Sequence, residues 1–276
     1  MAGYVTYCGA FNLAGYGSVE IDWTDASGVH NGVVSLTTGT YVHGTIAATM
    51  SVSGYTNFIA TLVAAMDAAT AQTVTGSFSE TTGLMTLACT GGTFDITFPG
   101  AAGTRMKALL GMPGTVTGST SYTGTVHPVY VIKPLYPCVS GNPNPSREKG
   151  RTATKSTSDG SMYRLAASTI RKLSSWTHLY EPKGMCDRTW YDQVGPGGSG
   201  LNRYTWEDLW DDYGDHVLPI FAAWYSSAST GEIEYLCFDL TTDVYDDTTH
   251  ARMRANDDTR WRITVAASLR AREVTV

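Results

Sequence analysis

Hydrophobic and polar positions alternate at two different periods along this chain. YVTYCGAF and SVEIDW alternate every second residue and predict strands; GVVSLTTGTYVHGTIAATMSV predicts two more. From Thr56 the period changes. Phe58, Ile59, Leu62, Val63 and Met66 share one face at 3.6 residues per turn, and Thr56 is placed to cap the helix they define. TVTGSFSETTGLMTLACTGGTFDITF then predicts three short strands joined by turns at Thr82-Gly83 and Gly91-Gly92. A short helix over 104–110 follows, with Thr104 as N-cap, Gly111 past its end, and Met106, Leu109 and Leu110 facing inward. A strand around HPVYVIKP closes this part.

Further on, RTATKSTSDGSMYRLAAS predicts a hairpin turning at Asp159-Gly160, and STIRKLSSWTHLY fits strand or helix. CDRTWYDQVGPGGSGLNRY is a Gly-rich loop. Thr205 caps a helix that carries Trp206, Leu209, Trp210 and Tyr213 on one face and Glu207, Asp208, Asp211 and Asp212 on the other. HVLPIFAAWYS, EIEYLCFDL and RWRITVAASLRAREVTV are apolar, strand-like runs. The expected class is mainly β, with β-sandwich or β-barrel-like sheets and a few short packed α-helices.

Composition divides the chain. Residues 1–132 hold two basic residues, Arg105 and Lys107, against six acidic ones; the remainder holds seventeen basic and nineteen acidic. Six of the seven tryptophans lie in the later part. KPLYPCVSGNPNPSREKG, with prolines at 134, 137, 143 and 145, reads as an extended connector. Two domains are therefore expected: residues 1–140, Thr/Gly-rich β with one packed helix and a short plug helix, and residues 141–276, β-rich with a helix near 205–214. A β surface of uncharged hydroxyls suits a protein that packs against copies of itself or against neighbours, since a lone soluble domain ordinarily carries more charge.

The formal net charge of −6 argues against general phosphate-directed nucleic-acid binding. No apolar run of about 18 residues predicts a membrane span, and the opening residues lack the basic and apolar regions of a signal peptide. The five cysteines (8, 89, 138, 186, 237) form no CxxC or CxH pair and read as reduced, mostly buried thiols.

The candidates for chemistry are thin. Acids at 207–215 with His216 read as the solvated face of an amphipathic helix, and Asp239, Asp243, Asp246 and Asp247 do not match an EF-hand loop. The histidines at 30, 43, 127, 178, 216 and 250 are scattered; no nucleophile elbow occurs, and Glu232 and Glu234 lack an opposing carboxylate. The turn at 99–103 offers small and apolar residues only and reads as a device of the fold. No catalytic residue, metal ligand or cofactor is assigned. The aromatic residues near the Gly-rich loop, Trp190, Tyr191 and Tyr204, are the candidate interaction residues, with a surface glycan or a neighbouring subunit as their partner. Trp206 and Trp210 read as core.

The order SETTGLMTLACTGGTFDITF, TRMKALLGM, SYTGTVHPVYVIKP, over about residues 55–134, resembles a module of tailed-bacteriophage virion proteins. In that module, strands of the form TGxxTI…FxIxW lead to a short LRxLLGF helix, a Gly/Thr-rich loop and an aromatic strand ending in proline. Phe98 stands where the pattern has Trp, and Met112 where it has an aromatic residue. Asp159-Gly160 and the run Arg262 to Glu273 also resemble phage tail-tube and distal-tail proteins, whose β-barrels assemble into rings. The resemblance implies a structural subunit of a tailed-phage particle, made in the host cytoplasm and resident in the virion. It would be a homo-oligomer in contact with other virion proteins, a tail or tail-tip/baseplate component ahead of a capsid decoration or neck protein. A carbohydrate- or receptor-binding module, and an enzyme acting on cell-wall polymer, are the readings from other classes.

Overall fold

The computed structural model describes residues 3–13, 19–26, 28–34, 36, 39–44, 55–68, 73–112, 114–138, 146–148, 152–156, 162–166, 171–186, 204–213, 218–227, 234–240, 251–254 and 257–269. The protein is mainly β with a few short helices. Up to residue 132 the elements are β1 (Tyr4–Gly9), β2 (Phe11–Asn12), β3 (Val19–Asp25), β4 (Gly28–Val34), β5 (Thr40–Val42), β6 (Thr56–Asn57), α1 (Phe58–Asp67), β7 (Thr73–Ser79), β8 (Leu84–Thr90), β9 (Phe94–Thr97), α2 (Gly100–Leu110), β10 (Val116–Ser119), β11 (Ser121–Thr123) and β12 (Val131–Ile132). Beyond it lie β13 (Ser146–Glu148), β14 (Thr152–Ser156), β15 (Met162–Ala166), β16 (Arg171–Pro182), α3 (Lys183–Cys186), α4 (Trp206–Tyr213), β17 (Ile220–Tyr225), β18 (Glu234–Leu240), β19 (Ala251–Arg254) and β20 (Asp257–Leu269).

The largest sheet has the order β12-β1-β17-β18-β20-β16-β13, with β19 paired to β20. Strands from both sides of residue 140 share it, because β1 pairs with β12 and with β17. The change of composition near 133–150 thus coincides with no break in this sheet. Around β1 both faces are covered: Val5, Tyr7, Ile132, Ile220 and Ala222 enter one core, and Cys8, Val131, Phe221 and Ala223 enter another. Burial on both faces explains why YVTYCG and IFAAWY read as nearly continuous apolar runs.

The sheet is strongly curled. Tyr7 on β1 and His178 on β16 are four strands apart, roughly 19 Å on a flat sheet with strands about 4.8 Å apart. Yet Tyr7 Oη and His178 Nε2 are 2.6 Å apart. The concave side this curl creates is filled by α4, whose Trp206 packs edge-on to Tyr7 at 5.2 Å between ring centroids.

Local rules explain the helices. Helix α1 is capped by Asn57, not Thr56: the Asn57 side chain accepts from the Ala60 N–H, so the cap sits one residue later than expected. Phe58, Ile59, Leu62 and Met66 are buried, as the periodicity requires. Helix α2 begins at Gly100, four residues before the expected start, and Pro99 at its N-cap makes no side-chain capping bond. Thr104 lies inside the helix and donates to the Gly100 carbonyl. The end is as expected: Gly111 takes a left-handed conformation with φ 64°, and Met106, Leu109 and Leu110 are buried.

At α4, Thr205 Oγ1 accepts from the Asp208 N–H at 3.2 Å, and Asp208 Oδ2 accepts from the Thr205 N–H at 2.7 Å. This is a reciprocal capping box with aspartate in the third position. Thr205→Ala is expected to lower stability by about 1 kcal/mol, measured as a shift in denaturation midpoint. An unchanged midpoint would mean that the box contributes nothing net.

The strand expectations hold locally and fail at longer range. β7 and β8 form the expected hairpin, and β14 pairs with β15 across the segment containing Asp159-Gly160, which itself lies outside the described residues. STIRKLSSWTHLY resolves as strand β16 over its described part. The turn at Gly91-Gly92 does not close a hairpin: β9 pairs with β3 and β10, in a sheet ordered β10-β9-β3-β4, whereas β8 pairs with β7 and β11. The strand around HPVYVIKP shrinks to Val131–Ile132.

Candidate functional site

The most distinctive surface is the outer face of the β11-β8-β7 sheet. Along β7 the inward positions are Val74, Gly76 and Phe78, and along β8 they are Met85, Leu87 and Cys89. A Cβ on Gly76 would press on Ile59 and Val63, so helix α1 lies directly beneath this strand. The other parity faces out: Thr73, Thr75, Ser77 and Ser79 on β7, and Leu84, Thr86, Ala88 and Thr90 on β8. Ser121 and Thr123 on β11 complete it. The register aligns them in rows, Thr73 with Thr90, Thr75 with Ala88 and Ser121, Ser77 with Thr86 and Thr123, and Ser79 with Leu84. Every side chain on this face is uncharged, and eight of the ten positions carry hydroxyls.

Several contacts fix the face in place. Thr86 and Thr123 hydroxyls meet at 2.9 Å across the strands, and Thr90 Oγ1 donates to the Thr73 carbonyl at 3.0 Å. The β7–β8 turn is tied to the main sheet from two sides, by Thr6 Oγ1 donating to the Glu80 carbonyl and Tyr225 Oη donating to the Thr81 carbonyl. A rigid hydroxyl face needs little ordering of long side chains when it meets a partner. It also avoids the desolvation cost that charged side chains would impose.

A second cluster of polar groups sits in the interior. The Trp176 indole donates to Tyr7 Oη, whose oxygen also meets His178 Nε2. Glu181, fully buried, accepts from the Leu135 N–H at 3.1 Å. Burial pushes the Tyr7 phenol well above its ordinary pKa and holds the His178 imidazole down near 3, so both are neutral at pH 7. These groups are sealed from solvent and tie β1 to β16 across the curl. Tyr130, at the seam of the two cores, is a non-glycine residue with φ 67°; its ring stacks on Phe11 at 4.9 Å and lies near Tyr204 and Tyr213.

Of the candidate interaction residues, Trp190 and Tyr191 lie outside the described residues. Tyr204 is buried in the core, 4% exposed, and its hydroxyl donates to Asp212 at 2.8 Å. Burial raises the Tyr204 pKa well above the ordinary phenol value. Trp206 is fully buried and Trp210 packs against the same core. Two acids of the α4 face have local tasks: Asp208 in the capping box and Asp212 as acceptor for Tyr204. Asp215, His216, Asp243, Asp246, Asp247, His250 and Glu232 lie outside the described residues. Cys8, Cys89, Cys138 and Cys186 are buried. Among the described residues, no three His, Cys, Asp or Glu side chains converge as metal ligands, and no helix is long and apolar enough to cross a membrane.

The hydroxyl face was legible in the sequence only as composition. Knowing that its residues share one face required the β7–β8–β11 register. Comparison with protein-family models, with curated proteins and with solved structures gives no match.

Proposed function

We propose that this protein is a non-enzymatic structural subunit that builds a larger particle by symmetric packing of its own copies. In the setting implied by its resemblance to tailed-phage virion proteins, that particle is a virion and the subunit belongs to its tail or tail tip. The observation that carries the reading is the outer face of β7, β8 and β11, with ten aligned positions and no charge. Interface cores are depleted of charged residues, and between copies of a chain with net charge −6 such a face brings no like charges into direct contact.

The test is native mass across a concentration series, with negative-stain images of the same samples. Wild type is expected to form closed oligomers. Thr75→Lys combined with Ser121→Lys is expected to weaken association by about tenfold or more, because like charges placed across a repeated interface cost several kcal/mol. Both positions are exposed, so the denaturation midpoint of the protomer should stay within about 0.5 kcal/mol of wild type. A wild type that is monomeric throughout the series would overturn the proposal.

A further inference from the structure

We infer that β4 is a self-pairing edge, at which the same strand of a second copy adds antiparallel and continues the β10-β9-β3-β4 sheet across a twofold axis. This deepens the assembly reading and rests on it. Among the described residues β4 is the terminal strand of its sheet, hydrogen-bonded to β3 alone. It is seven residues long, and its pairing with β3 runs unbroken from Val19↔Val34 to Asp25↔Gly28. An edge of this kind offers a row of backbone donors and acceptors to any extended chain. Edges that must stay single carry lysine, proline or a bulge. The strand GVHNGVV has no lysine and no proline, and its register with β3 shows no bulge. Val29 is 67% exposed, the highest value among the large hydrophobic residues described.

The order of residues selects a second copy over another partner. An antiparallel pair centred on Asn31 sets Val29 opposite Val33, His30 opposite Gly32 and Asn31 opposite itself. Valine is set against valine, histidine against glycine and asparagine against itself, so the sequence brings no acidic, lysine or arginine position against its like. In a chain of net charge −6 this strand is a neutral segment, so two copies can approach along it without the repulsion acting elsewhere. A pair of seven-residue strands is small against the roughly 1,600 Å² of a standard stable interface. The contact should therefore be weak alone and be reinforced within the assembly.

Cysteine cross-linking reads the register. In an antiparallel pair, directly opposed Cα atoms lie about 4.5–5.5 Å apart, inside the range a disulfide spans. Asn31→Cys, oxidised in the full-length folded protein under conditions where wild type associates, is expected to give a disulfide dimer as the main product. Val29→Cys opposes position 33 in this register; its own copy lies about four residues away along the strand, roughly 13 Å, so it should remain uncoupled. Failure of Asn31→Cys to cross-link, or equal coupling of Val29→Cys, would overturn β4 pairing. If wild type still forms closed oligomers in that case, the assembly reading survives through the hydroxyl face. If wild type is monomeric, both fall.

Discussion

Acidifying the protein from pH 7.5 to pH 5 is expected to reduce its unfolding free energy by about 4 kcal/mol, from two histidines alone. His43 and His178 are both fully buried, and burial holds each imidazole near 3 against an ordinary value of 6.5. His43 is enclosed by Phe11, Phe58 and Phe78, with Nε2 3.1 Å from the Val129 carbonyl; that bond favours the charged form but does not offset desolvation. In the unfolded chain the same side chains titrate at their ordinary value. Between about 6.5 and 3 the unfolded state therefore binds two more protons than the folded state, so stability rises with pH and is lost on acidification. The slope is about 1.4 kcal/mol per pH unit for each histidine. The window above pH 5 lies above ordinary carboxylate pKa values, which separates the histidine effect from acid titration. Denaturant unfolding at several pH values would measure it, and His43→Gln and His178→Gln should each remove about half of the dependence. A flat profile from pH 7.5 to 5 would show that the imidazoles are not held neutral by the fold.

Gly9→Ala is expected to destabilise the fold by about 3 kcal/mol or more. Gly9 lies in β1, paired to Ile220 of β17, and an added Cβ would fall within the ring of Tyr213. The ring has little freedom to move: its hydroxyl donates to the Ala10 carbonyl at 3.0 Å, and it packs edge-on near Tyr130. Overpacking ordinarily costs about 1–3 kcal/mol, and a clash with a pinned ring in a doubly covered strand belongs at or above the top of that range. Tyr213→Leu in the same chain should restore part of the loss, because the two sites share one space and their effects will not add. Gly114→Ala is the control. Nothing lies within 4 Å of a Cβ there, so its midpoint should stay near that of wild type. Circular dichroism and thermal melts distinguish the three variants, and a Gly9→Ala protein that melts like wild type would refute the packing described for β1.

Both predictions depend on contacts that no local pattern announces. Period and caps sufficed where partners are close in sequence. The α1 face from Phe58 to Met66, the β7–β8 hairpin and the Thr205 cap were all legible, since each is decided within about ten residues, whereas Asp208 was read as part of the solvated face and not as the other half of that cap. Errors of one to four residues arose where several residues could serve. Asn57 and Thr56 are both capping types, and Gly-Ala-Ala at the start of α2 carries no side-chain signal. The longer-range failures have one cause. Gly91-Gly92 looks like a hairpin turn because two apolar strands flank it, but β9 finds its partner in β3, about seventy residues earlier. Tyr204 resembles a loop aromatic, but the fold buries it with Tyr130 beside it, about seventy residues earlier in the chain. The hydroxyl face followed the same rule: its uncharged, Thr-rich composition was visible, and which residues share it depended on which strands were neighbours.

The pairing of β1 also bears on how the chain is made. Tyr4 pairs with Tyr225, more than two hundred residues later. At about 5–20 residues per second of synthesis, β1 waits some 10–40 seconds between leaving the ribosome and meeting the strand that covers its second edge. For that interval its paired neighbour in the main sheet can only be β12, which is two residues long. The largest sheet is thus completed only once β17 to β20 have been translated, and the nascent chain presents an apolar strand to whatever holds or shields it until then. High-contact-order pairing of this kind makes folding slow and sensitive to premature termination. A ribosome stalled before β17 would carry a chain in which β1 lacks the strand that covers its second edge.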